Sequence, residues 1–119
     1  MKYILSLALL VSFRAGAAEI TFECNNKEKQ SLQLTLNEDH LLASMDAPDY
    51  ADVSFVLDGK TYNWKQNQYL SFPLAGNTVT LFRMDTINSV YVEYSQSSGE
   101  AFVGISVERN DYSFDCVRK

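Results

Sequence analysis

Few residues in this sequence could carry acid–base or nucleophilic chemistry. His40 is the only histidine, and it stands beside Asp39 in a polar stretch. A Ser-His-Asp site would have to use His40, yet no serine has the sequence context of a nucleophile elbow. Two carboxylates could hydrolyse a glycosidic bond, but their separation decides that chemistry, and fifteen acidic residues single out no pair. The sequence therefore predicts a protein that is not an enzyme.

Metal and cofactor chemistry also finds little support in the sequence. Asp46, Asp49 and Asp52 recur at every third position around Pro48, and calcium prefers several oxygen ligands on an irregular loop. These residues lack the order of a known calcium-binding loop, so a solvated acidic loop is the favoured interpretation. The sequence contains neither Cys-x-x-Cys nor a cysteine–histidine cluster, which leaves no signal for redox or zinc chemistry. We expect no metal and no cofactor.

The aromatic side chains leave a binding role open. They could form a sugar-stacking face, which would make the chain a carbohydrate- or peptidoglycan-binding domain, or an interaction domain of the cell envelope. In a strand-rich domain, however, aromatic residues more often fill the core and form cross-strand pairs. The candidates are Tyr50, Tyr62, Trp64, Tyr69, Tyr91, Tyr94 and Tyr112.

Residues 1–18 have the pattern of a cleavable signal peptide. A short basic start precedes ten apolar residues from Ile4 to Phe13, and small residues follow up to Ala18. Ten apolar residues are too few for a helix that crosses a bilayer, which needs about 20. Cys24 follows Phe22-Glu23, which is not a lipid-attachment context. We therefore expect one domain at residues 19–119 that is periplasmic or secreted, without membrane insertion.

The expected mature chain is strongly acidic. The full sequence has a formal charge of −5, and Lys2 and Arg14 leave with the signal peptide. Eight basic residues then remain against fifteen acidic ones, so the formal charge becomes −7. Nucleic-acid recognition needs a basic surface, so this composition argues against it. An acidic surface instead suits a basic protein partner, which long-range attraction would bring in.

Cys24 and Cys116 are the only cysteines in the sequence. An exported chain with two cysteines most simply forms one disulfide. Both residues fall in phase with the apolar positions of their segments, so their side chains can meet inside the fold. We predict a structural disulfide that joins the two ends of the domain.

Apolar and polar residues alternate with period two along most of the chain. Such alternation predicts strands with one buried and one solvated face. Asp58-Gly59 is the strongest turn signal, because a type I′ turn needs positive φ at both central residues. About eight short strands predict an all-β domain, either a small antiparallel barrel or a sandwich. The apolar sets are Ile20/Phe22/Cys24, Leu32/Leu34/Leu36, Val53/Phe55/Leu57, Tyr62/Trp64, Val90/Val92/Tyr94, Ala101/Val103/Ile105/Val107 and Tyr112/Phe114/Cys116, and the other turn signals are Asn37-Glu38-Asp39, Ala75-Gly76-Asn77 and Arg109-Asn110-Asp111.

Four short motifs stand in one order along the chain: F-E-C at 22–24, L-D-G-K-T-Y at 57–62, S-Q-S-S-G-E-A-F at 95–102 and Y-S-F-D-C at 112–116. With these motifs in this order, the chain resembles the periplasmic and membrane-bound inhibitors of C-type lysozyme. The resemblance implies a small antiparallel barrel that inserts a polar loop into the active-site cleft of a basic lysozyme. It implies partner-binding roles for Ser95, Ser98, Gly99, Glu100 and Phe102.

The chain departs from the family pattern at several points. In the family the serine loop follows the D-G-K hairpin closely, whereas here about thirty residues separate them. Phe102 stands where a tyrosine is expected, no Thr-Lys-Gly segment occurs, and the last motif is one residue longer. A second alignment makes residues 98–101 the remnant of the lysine segment and leaves the serine loop missing. Both alignments stay open, as does the identity of the target.

Overall fold

The alternating segments form β-strands in the computed structural model, which describes residues 19–42 and 50–119. The expected signal peptide at 1–18 and the residues Asp46, Pro48 and Asp49 lie outside the described residues. A 3-10 helix at Glu38–Leu41 follows the second strand. The strands are β1 (Glu19–Asn25), β2 (Ser31–Asn37), β3 (Tyr50–Leu57), β4 (Lys60–Leu74), β5 (Asn77–Arg83), β6 (Ser89–Tyr94), β7 (Glu100–Val107) and β8 (Asn110–Arg118).

The eight strands close into an antiparallel barrel. Each strand pairs with the next along the chain, and β1 also pairs with β8. The all-β prediction and the predicted number of strands are confirmed. The pairing of β1 with β8 also decides for the barrel over the sandwich, because it closes one sheet on itself and leaves no edge strand.

Inward-facing side chains form one apolar core inside the barrel. In β7, Ala101, Val103, Ile105 and Val107 are buried, while the residues between them are exposed or half-buried. Full burial of a large apolar side chain contributes about 1.5–3 kcal/mol. The same alternation in the other strands supplies the largest buried side chains, which include Phe22, Leu34, Phe55, Phe82, Tyr94 and Phe114.

Tight turns with positive φ connect three of the hairpins. Asp58 and Gly59 have φ of +48° and +85°, which confirms the turn predicted there. Ala75 and Gly76 form the second such turn, at +51° and +87°. The third lies one residue earlier than expected, because Glu108 and Arg109 occupy its centre and Asn110 already begins β8.

The predicted disulfide between Cys24 and Cys116 is present. The two residues are direct partners in the β1–β8 register, and both side chains are buried. The β1–β8 seam contains four residue pairs, against seven between β1 and β2. The disulfide therefore links the two strands that share the fewest paired residues among the eight strand pairings. Such a bond is typical of an oxidising compartment.

β4 is unusually long and changes partner halfway along its length. Its first half, up to Gln68, pairs with β3, and the residues from Gln68 to Leu74 pair with β5. At the crossover Gln66 has a φ of +55°, and the buried Asn67 amide donates hydrogen bonds to the carbonyls of Ala51 and Trp64 at 2.9 and 2.8 Å. Neither the second half of β4 nor β5 is predicted as a strand from the sequence.

The alternating strand directions bring five features to one end of the barrel: the start of β1, the 3-10 helix, the β4–β5 turn, the β6–β7 loop and the end of β8. The helix covers the barrel interior there, since His40 and Leu41 are buried and Thr80 Oγ1 donates to the His40 carbonyl at 3.2 Å.

Among the described residues, no helix is long and apolar enough to cross a membrane.

Candidate binding site

The β6–β7 connection, residues 95–99, forms a short ordered loop that we name the serine loop. The Ser95 amide donates to the Glu100 carbonyl at 2.9 Å, and the Gly99 amide donates to the Ser95 carbonyl at 2.8 Å. Gly99 has a φ of +76°, a conformation that glycine adopts without steric cost. The Ser98 hydroxyl accepts a hydrogen bond from the Glu100 amide at 3.2 Å. Hydrogen bonds within the loop therefore define its shape.

Arg118 anchors the serine loop to the rest of the barrel end. Its amide donates to the Gly99 carbonyl at 2.7 Å, and a Cβ at Gly99 would lie 3.6 Å from the Arg118 Cβ. The Arg118 guanidinium donates to the Tyr94 hydroxyl at 3.0 Å and to a Glu38 carboxylate oxygen at 2.8 Å. These two partners raise the pKa of Arg118, with the Tyr94 hydrogen bond as the larger cause.

A groove of about 520 Å³ lies beside the serine loop on the outside of the barrel. Ser95, Glu100 and Phe102 line it, so the structure brings three of the five predicted partner-binding residues together there. Ser98 and Gly99 belong to the loop next to the groove but do not line it. The other lining residues are Glu23, Asn25, Asn77, Glu93, Ala101, Asp115, Cys116 and Val117.

The groove is acidic. Four carboxylates line it, on Glu23, Glu93, Glu100 and Asp115, and none of its lining residues is a lysine or an arginine. Glu23 forms an ion pair with Lys119 at 3.3 Å. The other three carboxylates form no ion pair with any residue that the structure describes. We name this site the acidic groove, and its charge is suited to a cationic group.

Glu93 is held in place by two neighbouring side chains. The Tyr91 hydroxyl donates a hydrogen bond to the Glu93 carboxylate at 3.3 Å, and the side-chain amide of Asn77 donates another at 3.5 Å. Burial raises the pKa of Tyr91, and the charge on Glu93 raises it further. Tyr91 is therefore a neutral donor at physiological pH, and its hydroxyl orients the Glu93 carboxylate at the wall of the groove.

Phe102 is exposed on the wall of the groove. Its side chain points outward from β7 and is 43% exposed. It makes an edge-to-face contact with Tyr91, with the ring centroids 6.4 Å apart. Phe102 thus faces solvent rather than the core, and it adds apolar surface to a site that is mostly polar.

His40 lies outside the acidic groove, in the 3-10 helix that covers the barrel end. Its ring packs at 4.6 Å from that of Tyr69, and Nδ1 has no hydrogen-bond partner among the described residues. Burial lowers the pKa of His40 below its ordinary value, although Asp39 and Asp52 act in the opposite direction. Within the part of the chain that the structure describes, no hydrogen bond joins the ring to a serine or a carboxylate. The geometry of a catalytic triad is not formed by these residues.

The remaining candidates from the sequence are dispersed. The Asp52 carboxylate accepts a hydrogen bond from the backbone amide of Gln66 at 2.9 Å and forms an ion pair with Lys65 at 3.8 Å. Residues 19–42 and 50–119 contain no cluster of three or more potential metal ligands. Most of the aromatic residues pack in or against the core, and Tyr50 is the member of that set with an exposed side chain, at 56%.

Glu23, Glu93 and Asp115 are site residues that were not predicted from the sequence. Strand register brings them together, because Glu93 is opposite Phe102, and Phe102 is opposite Asp115. Alternation places all three on outward positions of their strands, but only the pairing makes them neighbours. The signal available in the sequence was the excess of acidic residues, which does not specify positions.

The fold and the site together define a disulfide-closed, eight-stranded antiparallel barrel with an acidic groove beside a serine-rich loop. The chain matches no protein-family profile, no curated protein and no solved structure. The acidic groove and the serine loop are therefore the features that bear on its function.

Proposed function

We propose that this chain is an exported binding protein that inhibits a C-type lysozyme, with the acidic groove and the serine loop as the contact surface. The observation that carries the proposal is the position of the acidic groove directly beside the serine loop. Three unpaired carboxylates in this groove offer sites for lysine or arginine side chains of a basic partner. Charge-assisted hydrogen bonds between such groups are about twice as strong as neutral ones.

The serine loop supplies the part of the surface that can enter a cleft. Its sequence from 95 to 99 is S-Q-S-S-G, so three of its five residues are serines and none is charged. Gln96, Ser97 and Ser98 are exposed, and their small or flexible side chains can approach a partner's carboxylates closely. In the inhibitors that the chain resembles, polar groups of the serine loop reach the catalytic carboxylates of the lysozyme. The loop and the groove would thus contact different parts of the same enzyme.

Charge would assist the encounter between the two proteins. The expected mature chain carries a formal charge of −7, and the lysozymes targeted by the family are strongly basic. Attraction of this kind mainly raises the association rate and weakens as salt is added. Binding through the acidic groove should therefore show a clear dependence on ionic strength.

The proposal is tested with the purified mature protein, residues 19–119, mixed with lysozymes of several types. Lysis of cell-wall suspensions and direct binding are measured at about 50 and 300 mM salt, which shortens the Debye length from about 14 to 6 Å. We expect one or more C-type enzymes to lose activity, with weaker binding at the higher salt concentration. Undiminished lysis by every enzyme at micromolar excess of the protein would refute the inhibitor proposal.

Matched variants separate the groove from overall charge. Glu93→Gln combined with Asp115→Asn should weaken binding at least tenfold, because it removes two unpaired carboxylates from the groove. Glu28→Gln combined with Glu108→Gln is the control, since both residues are exposed in turns at the opposite end of the barrel and the loss of these two charges should change binding less than twofold. Equal effects of the two changes would mean that net charge, rather than the groove, attracts the partner.

A loop variant tests insertion into the cleft. Ser98→Trp places a bulky side chain on an exposed loop position, so it should abolish inhibition while the unfolding midpoint stays nearly unchanged. Gly99 is a poorer test position, because its φ of +76° and its contact with Arg118 make any side chain there strained. Full inhibition by Ser98→Trp would exclude the serine loop from the contact.

A further inference from the structure

The outer surface of the second half of β4 and of the middle of β5 is apolar, the reverse of the usual arrangement in a small barrel. Alternate residues of β4 point outward, and Leu70, Phe72 and Leu74 occupy these positions with exposures of 66%, 42% and 52%. Neighbouring outward residues extend the surface across adjacent strands. We name this surface the apolar face, and its exposed members are Tyr50, Leu70, Phe72, Leu74, Leu81 and Phe102.

Strand register arranges the apolar face in rows that run across the strands. The central row is Leu70, Leu81 and Tyr91, which are direct partners on β4, β5 and β6. The row on one side contains Arg83, which pairs with Gln68 on β4. The row on the other side contains Glu93, which pairs with Val79. An apolar row is therefore flanked by a cation on one side and a carboxylate on the other.

The apolar face is large for a protein of this size. Its six members are between 41% and 66% exposed. Side chains of these types then leave on the order of 500–600 Å² of apolar surface in water. The largest apolar patch on a typical monomeric protein is about 300–600 Å² and is often functional, so the apolar face lies at the upper end of that range. With the flanking polar side chains, the surface approaches the roughly 800 Å² per partner of a standard protein interface.

We propose that a second copy of this chain covers the apolar face and forms a twofold symmetric dimer. If the twofold axis runs along the central row, Leu70 and Leu81 of the two copies pack against one another. The same axis exchanges the flanking rows, so Arg83 of each copy lies over Val79 of the other, and Glu93 is on the adjacent strand about 4.8 Å away, within reach of the arginine side chain. Twofold interfaces are self-complementary in this way.

The charges on the flanks favour a second copy over an unrelated apolar partner. Neither Arg83 nor Glu93 forms an ion pair with any residue that the structure describes. Two reciprocal pairs across the axis would satisfy both residues in both copies. They would also offset locally the repulsion between two acidic chains.

The dimer interface overlaps the proposed lysozyme contact at Glu93 and Phe102, so the dimer and the lysozyme would compete for these two residues. Leu70, Leu81 and Arg83 do not line the acidic groove, and the serine loop lies outside the apolar face. Changes at Leu81 and Arg83 therefore test dimerisation without altering the groove. A failure of the dimer proposal leaves the inhibitor proposal standing, and the reverse also holds.

Sedimentation equilibrium of the mature protein from about 1 to 200 µM in about 150 mM salt, where the Debye length is about 8 Å, tests the proposal. We expect a reversible dimer at the upper concentrations. Leu81→Asp should weaken the dimer at least a hundredfold, because the two copies would then bring two carboxylates together at the twofold axis. Val117→Asp is the matched control, since Val117 is an exposed strand residue outside the apolar face and its change should leave the dimer intact.

Charge reversal tests the proposed pairing directly. Arg83→Glu alone and Glu93→Arg alone should each weaken the dimer at least tenfold, and the double variant should recover affinity to within a few-fold of the original chain. Far-ultraviolet circular dichroism confirms that each variant is folded. A chain that stays monomeric at the highest concentration, or a dimer insensitive to both Leu81→Asp and the charge reversals, overturns the proposal. Binding of that monomer to anionic lipid vesicles, lost in Leu81→Asp, would assign the apolar face to a membrane surface instead.

Discussion

Removing the disulfide should cost this barrel a large part of its stability. The bond joins Cys24 to Cys116 across the β1–β8 seam, which contains four residue pairs. Without it, that short seam alone closes the barrel. The unfolded chain also gains freedom, because its two ends are no longer linked.

The magnitude follows from the length of the closed loop. The two cysteines are 92 residues apart, and the chain-entropy relation assigns about 4.6 kcal/mol at 25 °C to a loop of that length. A domain of this size has a total stability of about 5–15 kcal/mol. With a urea m-value of about 1.5 kcal/mol per molar, the unfolding midpoint should fall by about 3 M.

The assay is urea unfolding followed by tryptophan fluorescence. Trp64 is buried and makes an edge-to-face contact with Phe55 at 4.9 Å, so its emission should change when the barrel opens. Three samples are compared: the oxidised chain, the chain under a reductant, and Cys24→Ala/Cys116→Ala. The reduced chain keeps both sulfur atoms, so its difference from the alanine variant measures packing rather than the cross-link.

A midpoint shift below about 0.5 M on reduction, far short of the shift that the chain-entropy relation gives, would refute this reasoning. It would mean that the unfolded chain stays compact without the bond, or that the β1–β8 pairing holds the barrel closed unaided. A large difference between the reduced chain and the alanine variant would show that side-chain packing dominates instead.

Three further predictions concern His40, the Glu108–Arg109 turn and Phe102. Lowering the pH below 6.5 should reduce stability, because burial lowers the pKa of His40: the unfolded chain takes up a proton as the pH falls through 6.5, and the folded chain does so only at lower pH. The free energy of unfolding measured in urea should fall over that window, and His40→Gln should remove this part of the slope; an unchanged slope would contradict it. Replacing Glu108 and Arg109 by Asn-Gly should raise the stability by about 1 kcal/mol, because both residues have positive φ, at +52° and +74°; thermal unfolding without a gain would show that the turn is not strained. Phe102→Tyr should change the free energy of unfolding by less than about 0.5 kcal/mol, because the ring is 43% exposed, whereas a loss of about 1–3 kcal/mol would indicate a buried hydroxyl.

Local patterns in the sequence were enough to predict the strands with one polar face, the disulfide and the strongest turn. Period-two alternation decides which side of a strand is buried, the phase of Cys24 and Cys116 places both inside, and Asp58-Gly59 meets the φ requirement of its turn. The second half of β4 was not predicted, because its apolar residues Leu70, Phe72 and Leu74 face solvent and alternation there does not mark a buried face.

The neighbours of each strand, by contrast, became known from the folded barrel alone. Closure depends on pairing β1 with β8 at opposite ends of the chain, and alternation within a strand does not specify its partner. The acidic groove likewise depends on the register that places Glu93, Phe102 and Asp115 side by side on three strands. A slip of one residue would turn each of these side chains to the other face of the sheet, because side chains alternate with a period of two. Register is set by contacts between residues distant in sequence, and these contacts form together when the core closes.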